Sequence, residues 1–583
     1  MTDMTQETGD FSLALPSDGT LTELPAGYWS SAVDAAPEQN VDDHAAEDGE
    51  SDDQDRIPEY SADGRRIIYC DYTKPNLTQM VTSVEDAVRT IPGKSEVLRH
   101  GGIHCYIAAT SPRYFHAIGD VKTKAPSIPS LVPYEKAAML LRIDQSATFM
   151  SNAKKKGWEP IEVPSKLVPL ILDNPDSHFP ETVGLVTHPL VLPNGELLIE
   201  EGLHTDSGIY VYFGGITFEA PGEMTPEEGV HILREEMLGE FEFATETDAA
   251  AALALVLTVI ERKTLDMAPG FMINASTQGS GKTTLARMIH LLVTGHDLPV
   301  ASMSENVAEQ NKELTAMLIA SVPIVCFDNI PDAHKISSPV LAKAITSPTH
   351  TGRILGFSKM AALPTNATFL ITGNNITTDM DLSRRLLEVR LTSQDARPEQ
   401  RRFTHPHVIS HVLNHRTRWM QAALSILHGH REVEMEARPS GFHQWDEMVR
   451  WPLLRAGVTD PVTKFDDLRE QSPDYEQMFS WMLGLIHGFG IGKAFRAQDL
   501  VRKGETSVTL QAASSHQESE RLKEMYADYL SGHPPQKGWS NVNSIGISLK
   551  RLVGRNIDGY TLTTRKIHGT THYSVEEKLA LAS

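Results

Sequence analysis

"FMINASTQGSGKTTLARMIHLLVTG", Phe271 to Gly295, runs an apolar strand into a glycine-rich turn, then a lysine and two threonines, then a helix with apolar residues at helical spacing. That order predicts a phosphate-binding loop. From Gly281 onward it fits Gly-x-x-x-x-Gly-Lys-Ser/Thr, with Ser276 in the place of the first glycine, where the requirement is room for a tight turn. The expected contact set is Ser276, Thr277, Gln278, Gly279, Ser280, Gly281, Lys282, Thr283 and Thr284. Backbone N–H groups of Gln278 to Lys282 at a helix start form an anion nest, and the helix dipole adds a favourable field. Lys282 is expected on the β and γ phosphates and the Thr283 hydroxyl on Mg²⁺.

Around this loop, residues 230–395 repeat a strand-to-helix rhythm. "GFMINAS", "SVPIVCFDN", "ATFLITGNN" and "LLEVRL" are short apolar strands with helical segments between them, the pattern of a mostly parallel sheet covered by helices. "SVPIVCFDN" ends in Asp328, a second metal holder at the strand tip where ligands of such sheets bind. Asn329 follows it where a glutamate would polarise water, so hydrolysis needs a base from elsewhere, and Glu309 with Lys312 one turn later is the candidate. Asn374, at the tip of "ATFLITGNN", is placed to orient water or read the γ-phosphate. Arg384 and Arg385 precede "LLEVRL" and suit an arginine finger reaching a neighbouring subunit's nucleotide.

The order GSGKTT, FDN, "GRILGFSKMAALPTNATFLITGNN" and "DLSRRLLEVRL" resembles the superfamily 3 helicases of the AAA+ class, the ATPases of phages and other mobile elements, over residues 185–395. The resemblance implies ATP and Mg²⁺ as cofactors, a homo-oligomer in the form of a hexameric ring, ATP sites at subunit boundaries, DNA as partner and travel on a single strand. It also implies a DNA-contacting hairpin carrying Arg353 and Lys359, and work inside a bacterial host cytoplasm. The chain departs from the family in lacking the paired acid at Asp328-Asn329. Residues 57–185 hold no zinc-binding cysteine set and no carboxylate triad, so a separate primase is the expected partner.

Charge narrows the reading further. The net charge of −23 at first count argues against nucleic acid, yet residues 1–56 hold fifteen Asp or Glu against one Arg, which places −14 in a segment with little apolar periodicity, read as a disordered tail. From Lys537 to His568 the balance reverses, with Lys537, Lys550, Arg551, Arg555, Arg565 and Lys566 facing Asp558 alone. There "NVNSIGISLKRLVGR" reads as a helix and "YTLTTRKIHGTTHYSV" as a hairpin, together a winged helix with Lys550, Arg551, Arg555, Arg565 and Lys566 as DNA contacts.

The fold class expected is α/β and multi-domain. The divisions are an acidic tail (1–56), a mixed α/β N-terminal domain (57–228), an AAA+ P-loop core with a parallel sheet (229–395), a helical lid (396–476) and a C-terminal winged helix (477–583). The acidic stretch "EAPGEMTPEEG" (219–229) reads as a linker. Cys70, Cys105 and Cys326 are too few and scattered for a disulfide framework, pointing to a reducing compartment. The longest apolar run, Ala249 to Ile260, is too short for a membrane span, and the polar acidic N-terminus predicts no signal peptide. His407, His411 and His415 repeat every four residues along one helix face, and a straight row of ligands does not converge on one ion. A nucleotide-controlled DNA-binding switch that does not translocate is the alternative from another class, and a small-molecule kinase accounts for neither the basic terminus nor the paired arginines.

Overall fold

The computed structural model describes residues 58–71, 76–89, 96–110, 114–116, 122–124, 128–152, 157–354, 359–393, 404–405, 407–429, 437–509, 521–522, 524–527 and 541–577. The chain divides into two units, Met1–Pro58 and Glu59–Ser583, and the second holds every described helix and strand. The acidic tail and Lys537 lie outside the described residues.

The centre of the second unit is a four-stranded, all-parallel sheet in the spatial order Leu386–Leu391, Gly270–Ala275, Thr368–Asn374, Ile324–Ile330. The first three of these strands are buried almost throughout, as expected where helices cover both faces. A parallel bridge between Ala301 and Phe327 adds a rudimentary fifth strand beyond Ile324–Ile330. Because Thr368–Asn374 is inserted between the loop strand and the Asp328 strand, the three strand ends that carry the candidate residues become neighbours.

Helix Lys282–Thr294 packs on the three neighbouring strands. Helix Glu246–Glu261 is apolar on every side, and its residues Asp248 to Glu261 are all buried, the behaviour expected of a helix with no polar face. Its two terminal acids are compensated: Asp248 pairs with buried Lys464 at 2.7 Å and accepts the Arg390 N–H at 2.9 Å, while Glu261 accepts the Val191 N–H at 2.9 Å. Helices Val408–His428, Trp451–Arg455 and Thr463–Glu470 share the same hydrophobic cluster as the sheet, and so do the short strands between Leu190 and Val211.

The sequence places a linker at 219–229, and its second half is instead a helix. Thr225 caps Pro226–Ile232 in a reciprocal capping box with Glu228, and Pro226 occupies the first turn, where its missing N–H costs nothing. Gly229 then lies so close to Ser425 and Ala422 of the Val408–His428 helix that a Cβ would come within 2.5 Å of the Ala422 carbonyl oxygen. Acidic residues that look like a solvated spacer are here the exposed side of a packed turn.

The N-terminal part has its own core, including Ile68, Val84, Val88, Met139, Ile143, Phe149 and Ile171. Strand Arg66–Cys70 pairs in parallel with Ala147–Ser151, and helices Leu77–Arg89, Lys136–Ser146 and Leu167–Leu172 contribute to that core. The region is tied to helix Val307–Ile319 by His100, whose ring nitrogens reach the Thr182 and Leu318 carbonyls at 2.9 and 3.2 Å.

Residues beyond Ser472 build a third core from Trp481, Leu485, Phe495, Leu500, Ile545, Leu549, Leu562, Tyr573 and Val575. Helices Pro473–Phe489, Ala497–Thr509 and Asn541–Leu552 precede a long hairpin, Tyr560–Ile567 with Thr570–Glu577. The hairpin turns at His568 (φ 47°) and Gly569 (φ 79°), the positive pair that a two-residue turn of this hand requires. No described helix is long and apolar enough to cross a membrane.

Candidate nucleotide-binding site

Ala275 ends its strand buried, and Ser276, Thr277, Gln278 and Gly279 emerge into solvent. Gly279 and Gly281 take φ values of 77° and 93°, left-handed conformations that a side chain would strain, and the loop depends on both. Gly281 is the N-cap of Lys282–Thr294 and provides no side-chain cap, so the first N–H groups of that helix are left for a ligand. Behind the loop, Phe241 sits where a Cβ on Gly281 would meet its ring at 3.1 Å. The strand run, the two glycines and the helix therefore take the backbone form in which the sequence expects an anion nest.

Lys282 folds back over this nest. Its ammonium donates to the Thr277 carbonyl at 3.2 Å, to Ser280 Oγ at 3.0 Å and to Asn374 Oδ1 at 2.6 Å. All three acceptors are neutral. Burial pushes its pKa below the ordinary lysine value, and the Asp328 charge acts against that shift.

Asp328 stands on the strand two places over. Its Oδ1 accepts from the Thr283 hydroxyl at 3.0 Å and from the Thr372 hydroxyl. Thr372 also accepts the Asn329 N–H at 3.0 Å, which holds the bulged end of the Asp328 strand, where Asn329 has φ 58°. Thr283 and Asp328 thus present adjoining oxygens of the kind hard divalent cations take, and the donor set fits Mg²⁺. Three sequence segments meet through side-chain hydrogen bonds at the carboxyl ends of the strands: residues 276–283, Asp328, and the strand end that carries Thr372 and Asn374.

The other predicted residues lie elsewhere. Glu309 is exposed on the first turn of helix Val307–Ile319, and it pairs with Lys312 at 2.9 Å. Arg384 and Arg385 lie at the opposite, amino-terminal edge of the sheet, where Arg385 O accepts the Gly270 N–H. Arg385 is committed within the chain: it donates to the Ala342 carbonyl, to Thr346 Oγ1 at 2.9 Å and to Asp381 at 2.8 Å. The Arg384 side chain is 66% exposed and meets Asp381 at 3.3 Å. Arg353 ends strand Thr349–Arg353, and Lys359 directly precedes its partner strand Met360–Pro364; residues 355–358 between them lie outside the described residues. Arg353 is exposed, whereas Lys359 is bound to Asp173 and the Leu172 carbonyl of the N-terminal part. Lys550, Arg551, Arg555, Arg565 and Lys566 are all exposed, with Arg565 and Lys566 near the hairpin tip.

His411 stacks on His405 at 3.8 Å, His415 on Trp419 at 5.3 Å, and among the described residues no group of three or more His, Cys, Asp or Glu is arranged to hold a metal. The informative residue of that helix is Arg416. Fully buried, it donates to the carbonyls of Leu292, Val293 and Thr187, each at 2.7 Å, and so closes the carboxyl end of the helix that begins at the loop. Nothing in the sequence singles it out, because one arginine between histidines carries no pattern. Asn274 is less hidden. It sits inside an apolar strand yet donates to the Ile376 carbonyl at 3.0 Å and to buried Glu388 at 2.8 Å. A polar residue interrupting a buried strand just before the loop is the signal that could have found it.

No family model matches the chain, and no curated protein matches it. Among solved structures, the A-form apo structure of the NrS-1 C-terminal region is similar at a TM-score of 0.35 and 11% identity, over 80% of this chain and 96% of that one. A JCV helicase bound to a thiazolopyridine-phenoxyphenyl acetamide is similar at a TM-score of 0.19 and 15% identity, over 43% of this chain and 75% of that one. Likenesses at these scores carry nothing toward function.

Proposed function

We propose that the chain is a Mg²⁺-dependent ATPase that couples hydrolysis to movement on DNA, a helicase or replication-initiation ATPase of the superfamily 3 type working as a homo-oligomeric, hexameric ring. The observation that carries this reading is the meeting of Lys282 with Asn374 at 2.6 Å beside the Thr283–Asp328 contact at 3.0 Å. A fortuitous glycine turn has no reason to gather a lysine, a carboxylate and two strand-tip polar groups from segments about ninety residues apart.

In this reading the loop N–H groups bind the phosphates, and Lys282 exchanges neutral acceptors for phosphate oxygens. Thr283 and Asp328 would hold Mg²⁺, which neutralises charge on the phosphate oxygens. Asn374 orients groups at the γ-phosphate, and Thr372 keeps Asp328 turned toward Thr283. Of the paired arginines, Arg384, 66% exposed and paired with Asp381, is the one that could reach a neighbouring copy, because Arg385 is spent holding the chain before the Leu386–Leu391 strand. A strand tip and a strand start are opposite ends of one sheet, so an arginine at the start can complete only another copy's site. DNA would meet the Arg353 and Lys359 hairpin and, through a winged-helix arrangement at 477–583, Lys550, Arg551, Arg555, Arg565 and Lys566. A separate primase fits the same reading.

One observation favours the non-translocating switch. Asn329, an amide that cannot accept a proton, stands directly after Asp328, and its backbone N–H is tied to Thr372. Slow turnover would suit a switch. The test uses purified full-length chain with Mg-ATP and a forked DNA bearing a single-stranded tail. The motor reading expects the tail to stimulate turnover and the fork to open; nucleotide-dependent assembly with no opening favours the switch.

A further inference from the structure

The segment after the Ile324–Ile330 strand turns back across the mouth of the loop. The Ala333 N–H donates to the Asn374 carbonyl at 3.1 Å, so residues 331–333 run beside the tip that holds Lys282. Asn375 then joins this turn to the loop, its amide donating to Asp332 Oδ1 at 3.1 Å and to the Ser276 carbonyl at 3.3 Å. Ser276 precedes Thr277, whose carbonyl holds the Lys282 ammonium, so Asp332 is linked through Asn375 to the start of the loop that carries that lysine.

The backbone here is held in an unusual form. Ala333 has φ 55° and Asn375 φ 47°. A left-handed alanine has no side-chain hydrogen bond to favour it, and such conformations gather where surrounding contacts fix a reactive geometry. The other carboxyl groups fit less well. Glu309 is paired with Lys312 at 2.9 Å on the first turn of a separate helix, and Asp328 is engaged by Thr283 and Thr372.

Resting on the ATPase reading above, we propose that Asp332 is the general base of hydrolysis and that Asn375 is the positioning residue that orients it. The oxygen of water bonds to the γ-phosphorus, the bond from that phosphorus to the bridging oxygen breaks, and its electron pair leaves with ADP. The proton of the attacking water passes to the Asp332 carboxylate and from there to solvent. Asp332 is exposed, which leaves its carboxylate open to that exchange. The assignment also supplies the acid that is missing at Asn329.

The test is Asp332→Asn in the full chain, with turnover of Mg-ATP measured beside the affinity for Mg-ADP. General-base loss predicts a fall in kcat of about 10²- to 10⁴-fold with Mg-ADP affinity unchanged. Asp332→Ala should fall equally and recover part of its rate with added formate, which replaces a proton acceptor but repairs no structural contact. Wild-type kcat in Asp332→Asn overturns the proposal and leaves the ATPase reading standing, since the parent chain still hydrolyses ATP. Joint loss of Mg-ADP binding and turnover, without formate rescue, overturns it by making Asp332 structural. A parent chain with no turnover removes both readings.

Discussion

Two lysines at opposite ends of one strand have nearly the same ligands. Lys282, at the carboxyl edge of the sheet, is held by a backbone carbonyl, a serine hydroxyl and the side-chain oxygen of Asn374. Lys263, at the amino edge, is held by the Ser321 carbonyl at 3.3 Å, the Ser321 hydroxyl at 2.9 Å and the side-chain oxygen of Asn366 at 3.1 Å. What differs is access. Lys282 lies under an exposed loop beside a carboxylate, while Lys263 is sealed in with Arg262, which is spent on the carbonyls of Leu265, Ala367 and Thr365. Burial pushes Lys263 down to about 7 and Arg262 to about 10. Neutral ligands around an ammonium therefore mean a waiting site at one edge and a structural bolt at the other.

The amino edge also carries Arg384, where the largest effect is expected. Arg384→Ala should lower kcat by about 10³-fold with Mg-ADP affinity unchanged if, as proposed, it acts in another copy's transition state. Arg385→Ala should instead lower the melting temperature through lost contacts to Ala342 and Thr346 and spare most of the turnover. Lys282→Ala comes next, with a loss of about 10²- to 10³-fold in turnover read by phosphate release. Undiminished turnover there would erase the distinction between the two lysines.

Thr372→Val tests the support beneath Asp328. It removes one of two hydroxyls on that carboxylate and the acceptor of the Asn329 N–H, and should weaken Mg-ADP binding by about tenfold in calorimetry, in line with about 1–2 kcal/mol for such a bond.

The buried lysine makes a prediction in pH. An unfolded chain keeps Lys263 protonated up to its ordinary 10.5, whereas the folded chain releases the proton above about 7. In that window the unfolded state binds more protons, so this group makes stability rise with pH. Melting temperatures of the parent relative to Lys263→Met should climb between those limits and level off below them. A flat difference would show that Lys263 stays charged inside the fold. The smallest effect is expected where cations are fully exposed: Arg565→Ala or Lys566→Ala should reduce the salt slope of DNA binding by about one each, whatever the DNA sequence.

How much of this is readable in the chain depends on whether a residue acts within a local pattern. Ser276 to Thr284, Asp328 and Asn374 each stand at the end of an apolar strand, so periodicity alone delivers them to one edge of the sheet. The terminal hairpin turning at His568-Gly569 is legible for the same reason. Arg416, Asn274 and the Asp332–Asn375 bridge are not, because their partners lie 102 to 229 residues away or across a loop with no repeat. The linker reading at 219–229 fails because a capping box and an acidic spacer share their composition and differ only in what packs against Gly229.

The most direct test of a site shared between copies is to mix the two silent proteins. Lys282→Ala lacks the loop cation and keeps Arg384; Arg384→Ala has the reverse. Combined in equal amounts with Mg-ATP and DNA, they should regain turnover, since about a quarter of the junctions in a randomly mixed symmetric ring unite an intact loop with an intact arginine. A mixture as inactive as its parts, or a parent chain that hydrolyses ATP at full rate as a monomer, would contradict the account.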